Sequence, residues 1–192
     1  MIKKADEHSA NMTIETEAGV KELTLYMQNG KVSSVKVDMG KPEFTPANIP
    51  TRIQIPEGKE AIVNAPINVE GIDYSATVLS VGNPHCVVFS GFVDKIDVAR
   101  IGPLFENHRA FPSRVNAEFV RVVGRNELKV RTWERGNGET PACGTGACAA
   151  AIAAQPPRTR QKGKAGGTKG VPRGRPRDAD SQQLRHRVAP CG

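Results

Sequence analysis

Between residues 12 and 39 apolar and polar positions alternate with period two. Leu23, Leu25 and Met27 form one such series and Val35, Val37 and Met39 another; Asn29-Gly30 between them is a favoured tight-turn pair. The spacing predicts a strand hairpin. Residues 40–52 hold three prolines and no periodicity, and read as a connector. Strand-like runs resume at Ala61–Val69 and Tyr74–Val81, are interrupted by Gly82-Asn83-Pro84, and continue as His85–Phe89. Asp97 is placed to cap a short helix over Val98–Asn107, with Pro103 inside it. Val115–Val123 and Glu127–Trp133 flank Gly124-Arg125-Asn126, a second hairpin. A glycine-rich turn follows, and the alanine-rich run after Gly146 favours helix to about Ala154. Many strands, few helices and one helix late make an α+β pattern rather than alternating βαβ units.

The totals narrow the class. At 192 residues the chain suits one sizeable domain or two small ones. No apolar run approaches the roughly 20 residues of a membrane span, and Met1–Met12 lacks the apolar stretch of a signal peptide, so neither membrane nor export is expected. Four cysteines, at 86, 143, 148 and 191, do not suggest a disulfide framework, and a reducing cytoplasm fits.

Charge changes the picture only when divided. The net +7 arises in residues 155–192, which carry ten Lys and Arg against two Asp; residues 1–154 carry seventeen basic against eighteen acidic. The basic pI therefore says nothing about the body's ligand. The tail holds five Pro and six Gly and only three large aliphatic residues, too few to offset the entropy of ordering. It is expected to be disordered and to derive from a shifted reading frame. Such segments bind phosphates, but this one has no aromatic residue to stack on bases, which argues against a nucleic-acid partner.

The chemistry concentrates in residues 134–148, Glu-Arg-Gly-Asn-Gly-Glu-Thr-Pro-Ala-Cys-Gly-Thr-Gly-Ala-Cys. Gly136, Gly138, Gly144 and Gly146 let backbone approach a ligand closely. Cys143 stands at the expected helix start, where the macrodipole is expected to lower its pKa and supply thiolate near neutral pH. The amides of Gly144, Thr145 and Gly146 are placed to cradle a carboxylate. Cys148, one turn on, reads as core. Cys143 and Cys148 lack zinc-ligand spacing and a nearby His, so no metal is expected. His8, His108 and His186 read as solvated.

Three segments in one order carry a resemblance. Gly82-Asn83-Pro84-His85-Cys86, Arg114-Val115-Asn116-Ala117-Glu118-Phe119, and Glu134-Arg135-Gly136-x-Gly138-Glu139-Thr140-x-Ala142-Cys143-Gly144-Thr145-Gly146-Ala147 together resemble the diaminopimelate epimerase family, over about residues 10–154. The resemblance implies an α+β fold of two similar domains, each a strand-rich barrel around a central helix, with the site between them. Residues 1–45 would end the first domain, 46–154 would form most of the second, and 155–192 the disordered tail. It implies a cytoplasmic isomerase of lysine and cell-wall precursor biosynthesis that interconverts LL- and meso-diaminopimelate with no pyridoxal, metal or other cofactor. The small-molecule substrate would be its partner, and a homodimer follows from the family. Two cysteines on opposite faces of one Cα would exchange the roles of base and acid.

Carried over by position, Cys143 is the second-domain catalytic thiol, with Glu134 and His85 tuning it. Gly144 and Thr145 hold the reacting carboxylate. Asn83, Asn116, Glu134 and Arg135 grip the distal amino-acid end, Arg135 being suited to a bidentate carboxylate contact. Taken alone, His85 reads as readily as a residue closing the Asn83-Pro84 turn, Asn116 also reads as a strand-bulge residue, and Glu134–Arg135 as a surface ion pair of little worth. The family's first cysteine motif, Cys-Gly-Asn-Gly, does not occur, so the chain carries one of the two thiols. That leaves a second function class, a non-catalytic remnant or basic binding protein that keeps the epimerase half-domain as scaffold.

Overall fold

The computed structural model describes residues 3–6, 9–16 and 19–155. The expected disordered tail thus lies outside the described residues apart from Gln155, as do His8 and His186. An antiparallel meander of four strands makes the first sheet, in the order β1 (Lys3–Asp6), β2 (Ser9–Thr16), β3 (Gly19–Gln28), β4 (Lys31–Val37). The turn from β3 to β4 falls where the sequence puts it. Asn29 and Gly30 both take left-handed φ, 53° and 73°, which this turn requires and these two residues tolerate. Cross-strand pairing sets Leu23 against Met12 and Val37, and Leu25 against Ala10 and Val35, so the alternation gathers one apolar face.

The second sheet has six strands, β5 (Ala65–Val69), β6 (Ile72–Ser80), β7 (Pro84–Phe89), β8 (Asn116–Gly124), β9 (Glu127–Glu134) and β10 (Gly138–Thr140), ordered 10-9-8-7-6-5. It is open rather than closed into a barrel, consistent with an incomplete epimerase-like α+β fold. The two sheets share no strand. Glu43 already pairs with Ser80 of β6. The strand expected from Ala61 begins only at Ala65, because Asn64 takes a left-handed φ of 54° that no strand continues through. The short β10 lies inside the glycine-rich segment, where no strand was expected.

One pairing departs from the hairpin pattern. β7 and β8 run parallel, joined by α1 (Val98–Glu106) in a crossover, so a single βαβ unit sits at the centre of an otherwise antiparallel sheet. Asp97 caps α1, its carboxylate accepting from the N–H of Arg100 at 3.1 Å. Pro103 is tolerated within the helix, and Asn107 closes the end by donating its backbone and side-chain N–H groups to the Pro103 carbonyl.

Period-two alternation assigns the sheet's faces. Cys86, Val88, Ala117 and Phe119 pack with α1, Phe105 and Trp133 in the larger core. Tyr74, Phe105 and Phe119 meet edge-to-face there. On the other face Leu79, Val87 and Val120 pack against Ala149 and Ala150 of α2 (Gly144–Ala153). Gly102 is the seat of Trp133: a Cβ there would stand 2.4 Å from the indole ring.

Candidate active site

The α2 face of the second sheet turns polar at one end. His85 lies one residue into β7 and Asn116 opens β8; the parallel register sets them side by side. Glu134 ends β9 and Cys143 caps α2 at that same end. Asn116 is therefore a paired strand residue and not a bulge. Its amide is engaged at both ends: Oδ1 accepts from the Arg135 backbone N–H at 2.9 Å, and Nδ2 donates to the Pro84 carbonyl at 3.1 Å.

Cys143 is extended (φ −130°, ψ 113°), and the chain then turns into α2. Its sulfur accepts the N–H of Gly146 at 3.4 Å and lies 3.3 Å from the Thr145 hydroxyl. The N–H groups of Gly144 and Thr145 open the helix without an intrahelical acceptor, whereas the Gly146 N–H, expected in the same cradle, is spent on the sulfur. Gly146 is required: a Cβ there would stand 2.8 Å from Glu118 Oε1 and 3.3 Å from the sulfur.

The lowered thiol pKa expected at this helix start is not what the site produces. Burial, the largest influence, pushes the Cys143 thiol up; the Thr145 hydroxyl and Gly146 amide pull it back, and Glu134 and Glu118 push it up further. A half-buried sulfur facing two carboxylates favours its neutral form. At neutral pH it is better provided as a proton donor than as a standing thiolate. Cys86 is fully buried in the sheet, and burial with Glu118 nearby pushes its thiol far above the ordinary range. Cys148, expected in the core, is only half-buried, and burial raises its thiol too.

The remaining expected residues form two groups. Asn83 Nδ2 donates to Thr145 Oγ1 at 3.4 Å, and Asn83 Oδ1 meets His85 Nε2 at 2.9 Å. Glu134 accepts a short hydrogen bond from Thr140 across the β9–β10 hairpin. That hairpin turns through Gly136 and Gly138, at φ 84° and 93°, values glycine adopts freely. The Arg135 guanidinium donates to the Ser113 carbonyl at 2.9 Å. Glu134 and Arg135 thus have separate partners and are not paired with each other. His108, read as solvated, meets the Asn68 carbonyl at 3.0 Å and accepts from the Ala110 N–H at 3.2 Å.

Two residues given no role from the sequence hold the site. Glu106 of α1 is buried and accepts from Gly136 N–H (2.9 Å), Arg114 (2.9 Å) and the Trp133 indole (2.6 Å), pinning the turn that carries Glu134 and Arg135. Glu118 is wholly buried and meets His85 Nδ1 at 2.8 Å. A glutamate inside the apolar run Val115–Val123 is the sequence signal that marks it.

The open α+β sheet is epimerase-like in fold. Solved structures of a hydroxyproline epimerase from Agrobacterium vitis (TM-score 0.53) and a probable proline racemase from Agrobacterium radiobacter (TM-score 0.54) share it. Each is 16% identical, covering 78% of this chain and 45% of the other. Within that fold the sequence is more particular. Residues 77–165 match the family model for diaminopimelate epimerase. Diaminopimelate epimerases of Desulfovibrio desulfuricans and Leptospira biflexa are 48% and 50% identical over 144 and 142 residues, covering 74% and 73% of this chain and 50% of each relative. Over these residues the chain is similar to diaminopimelate epimerases, and it spans about half the length of the curated relatives it matches.

Proposed function

We infer that this chain supplies one thiol and much of the substrate cradle of a cofactor-independent epimerase that interconverts LL- and meso-diaminopimelate. The observation that carries this is Cys143: its sulfur sits at a helix start among unpaired amides, with a hydroxyl and an amide on it and carboxylates behind it. The Gly144 and Thr145 amides take the reacting carboxylate. The Arg135 turn and Asn83 face the distal end, and Asn116 fixes that turn while keeping one amide N–H to donate. With its pKa raised, Cys143 hands a proton to the carbanion, and in the reverse direction it removes one. The opposite face needs a second thiol. Cys86, enclosed in the sheet, does not serve. The proposed division into a first unit ending near residue 45 and a second unit over 46–154 is supported by the two sheets sharing no strand, with Glu43 already pairing onto the second sheet. The reading includes a cytoplasmic location and self-association as in the family.

The test is protection of Cys143 from iodoacetamide by diaminopimelate, followed by mass spectrometry. Both stereoisomers protect Cys143 and leave Cys148 unaffected; absence of protection overturns the reading. In deuterated water the chain alone does not invert either isomer at enzymatic rates, and inversion would refute the two-thiol assignment.

A further inference from the structure

We propose that Glu118 is a positioning residue for Cys143, anchoring a one-way chain of hydrogen-bond donors that runs from His85 through Asn83 and Thr145 to the cysteine sulfur. The inference rests on the reading of Cys143 as the working thiol and adds what orients the groups around it.

Glu118 and His85 are both wholly buried, and among the described residues Glu118 Oε2 has no hydrogen-bond partner. Such a group is costly unless the site uses it. Its other oxygen lies 2.8 Å from His85 Nδ1. At the far side of the ring, Nε2 faces the Asn83 amide oxygen at 2.9 Å. An amide oxygen only accepts, so Nε2 carries a hydrogen. Asn83 then presents its NH2 to Thr145 Oγ1 at 3.4 Å, which occupies a lone pair of that oxygen. The threonine hydroxyl hydrogen is left for the sulfur, 3.3 Å away. Every link donates toward Cys143.

The direction does not depend on where the Glu118–His85 proton rests. A carboxylic acid donating to Nδ1 and a carboxylate accepting from an imidazolium hold the same number of protons and the same net charge of zero. In both, Nε2–H points at Asn83. Burial raises the Glu118 carboxyl, which favours the uncharged arrangement. The titratable groups facing the sulfur are Glu134 from β9 and Glu118 from β8, with His85 of β7 behind Asn83. Glu118 Oε1 also lies against Gly146, whose amide is the sulfur's second donor.

The measurement is the rate of iodoacetamide alkylation at Cys143 against pH, in the full chain, with circular dichroism to confirm folding. Thr145→Val removes the last donor and slows alkylation about tenfold below the midpoint, equivalent to about one pH unit; Thr145→Ser restores it. Glu118→Ala frees His85 and slows it similarly. Glu118→Gln restores it, because its amide donates to Nδ1 and leaves Nε2–H in place. A wild-type profile in Thr145→Val overturns the chain. Alkylation in Glu118→Gln as slow as in Glu118→Ala overturns it too; a rate at or above wild type supports it, because the amide keeps Nε2–H on Asn83 while the charge that pushes the thiol up is removed. If Glu118→Ala does not fold, the Thr145 pair and 15N spectra of His85 decide: Nε2 protonated supports the chain, and Nδ1 alone refutes it. Substrate protection of wild-type Cys143 tests the function independently of these differences.

Discussion

Gly102→Ala sets two effects against each other inside α1, and the structure says which wins. Alanine favours a helix interior over glycine by about 1 kcal/mol. The added Cβ, however, would stand 2.4, 2.5 and 2.6 Å from Cδ2, Cγ and Cε3 of Trp133. Carbon pairs rest at about 3.5–4.0 Å, so the indole must retreat by about 1 Å or the helix must lift. Overpacking of this kind costs about 1–3 kcal/mol. The ring is rigid, and its N–H is committed to Glu106 at 2.6 Å. Breaking that bond strands a buried carboxylate oxygen at a further cost of about 1–3 kcal/mol. The net expectation is a loss of about 2 kcal/mol. Urea unfolding followed by fluorescence measures it directly, because Trp133 is the chain's only tryptophan; the midpoint falls and the native emission shifts. Gly91→Ala, where a Cβ meets nothing within 4 Å, leaves both unchanged. A Gly102→Ala protein as stable as the wild type with the same emission would refute the argument.

Three further outcomes follow from the buried and capping carboxylates. Glu106→Ala leaves the Trp133 and Gly136 N–H groups without their acceptor and lowers stability by about 2–4 kcal/mol by urea unfolding, with Glu106→Gln losing less. Glu118 is raised in the fold, so its stabilising contribution is present below about pH 4 and is lost as pH rises through its folded value. Relative to wild type, Glu118→Gln therefore gains in urea midpoint from about pH 5 to 8, and a parallel pair of curves would contradict this. The Thr45 N–H above all, then the Asn48 amide and the Phe44 N–H, donate to Glu43 and hold its carboxyl at about 2. Its contribution is present above about pH 4.5 and lost as pH falls toward 2, so NMR titration finds a midpoint near 2 and Glu43→Gln lacks the acid-side loss.

Local signals in the sequence located most elements of the two sheets. Asn29-Gly30, Asp97 and Gly124 each act through neighbouring backbone, so their effects were readable without knowing what packs where. The crossover was not, because parallel pairing of β7 with β8 is set by α1 packing on the sheet and not by any turn residue. At the site, the helix start at Cys143 was legible in its glycines and alanines. The direction of its pKa was not. The dipole is local, but the burial that outweighs it comes from strands up to about sixty residues away in sequence, carrying Asn83, His85 and Glu118. Glu106 was hidden for the same reason: a glutamate near a helix end looks solvated until Trp133 and Gly136 are known to lie over it.

The parallel pair at the sheet's centre also sets when the site exists. The β3–β4 and β8–β9 hairpins close over two residues, but His85 meets Asn116 only after the whole α1 crossover has folded back. Closing that long connection costs chain entropy before any contact across it offsets the loss. The hairpin that positions Glu134 can therefore form early, while the support behind Cys143 waits for the crossover. An immature chain exposes Cys143 without the Glu118 neighbour and the burial that the assembled sheet brings, and its thiol lies closer to that of a free cysteine. The proton-holding character of Cys143 thus depends on closure of the long crossover, and its slow alkylation reports that the crossover has closed.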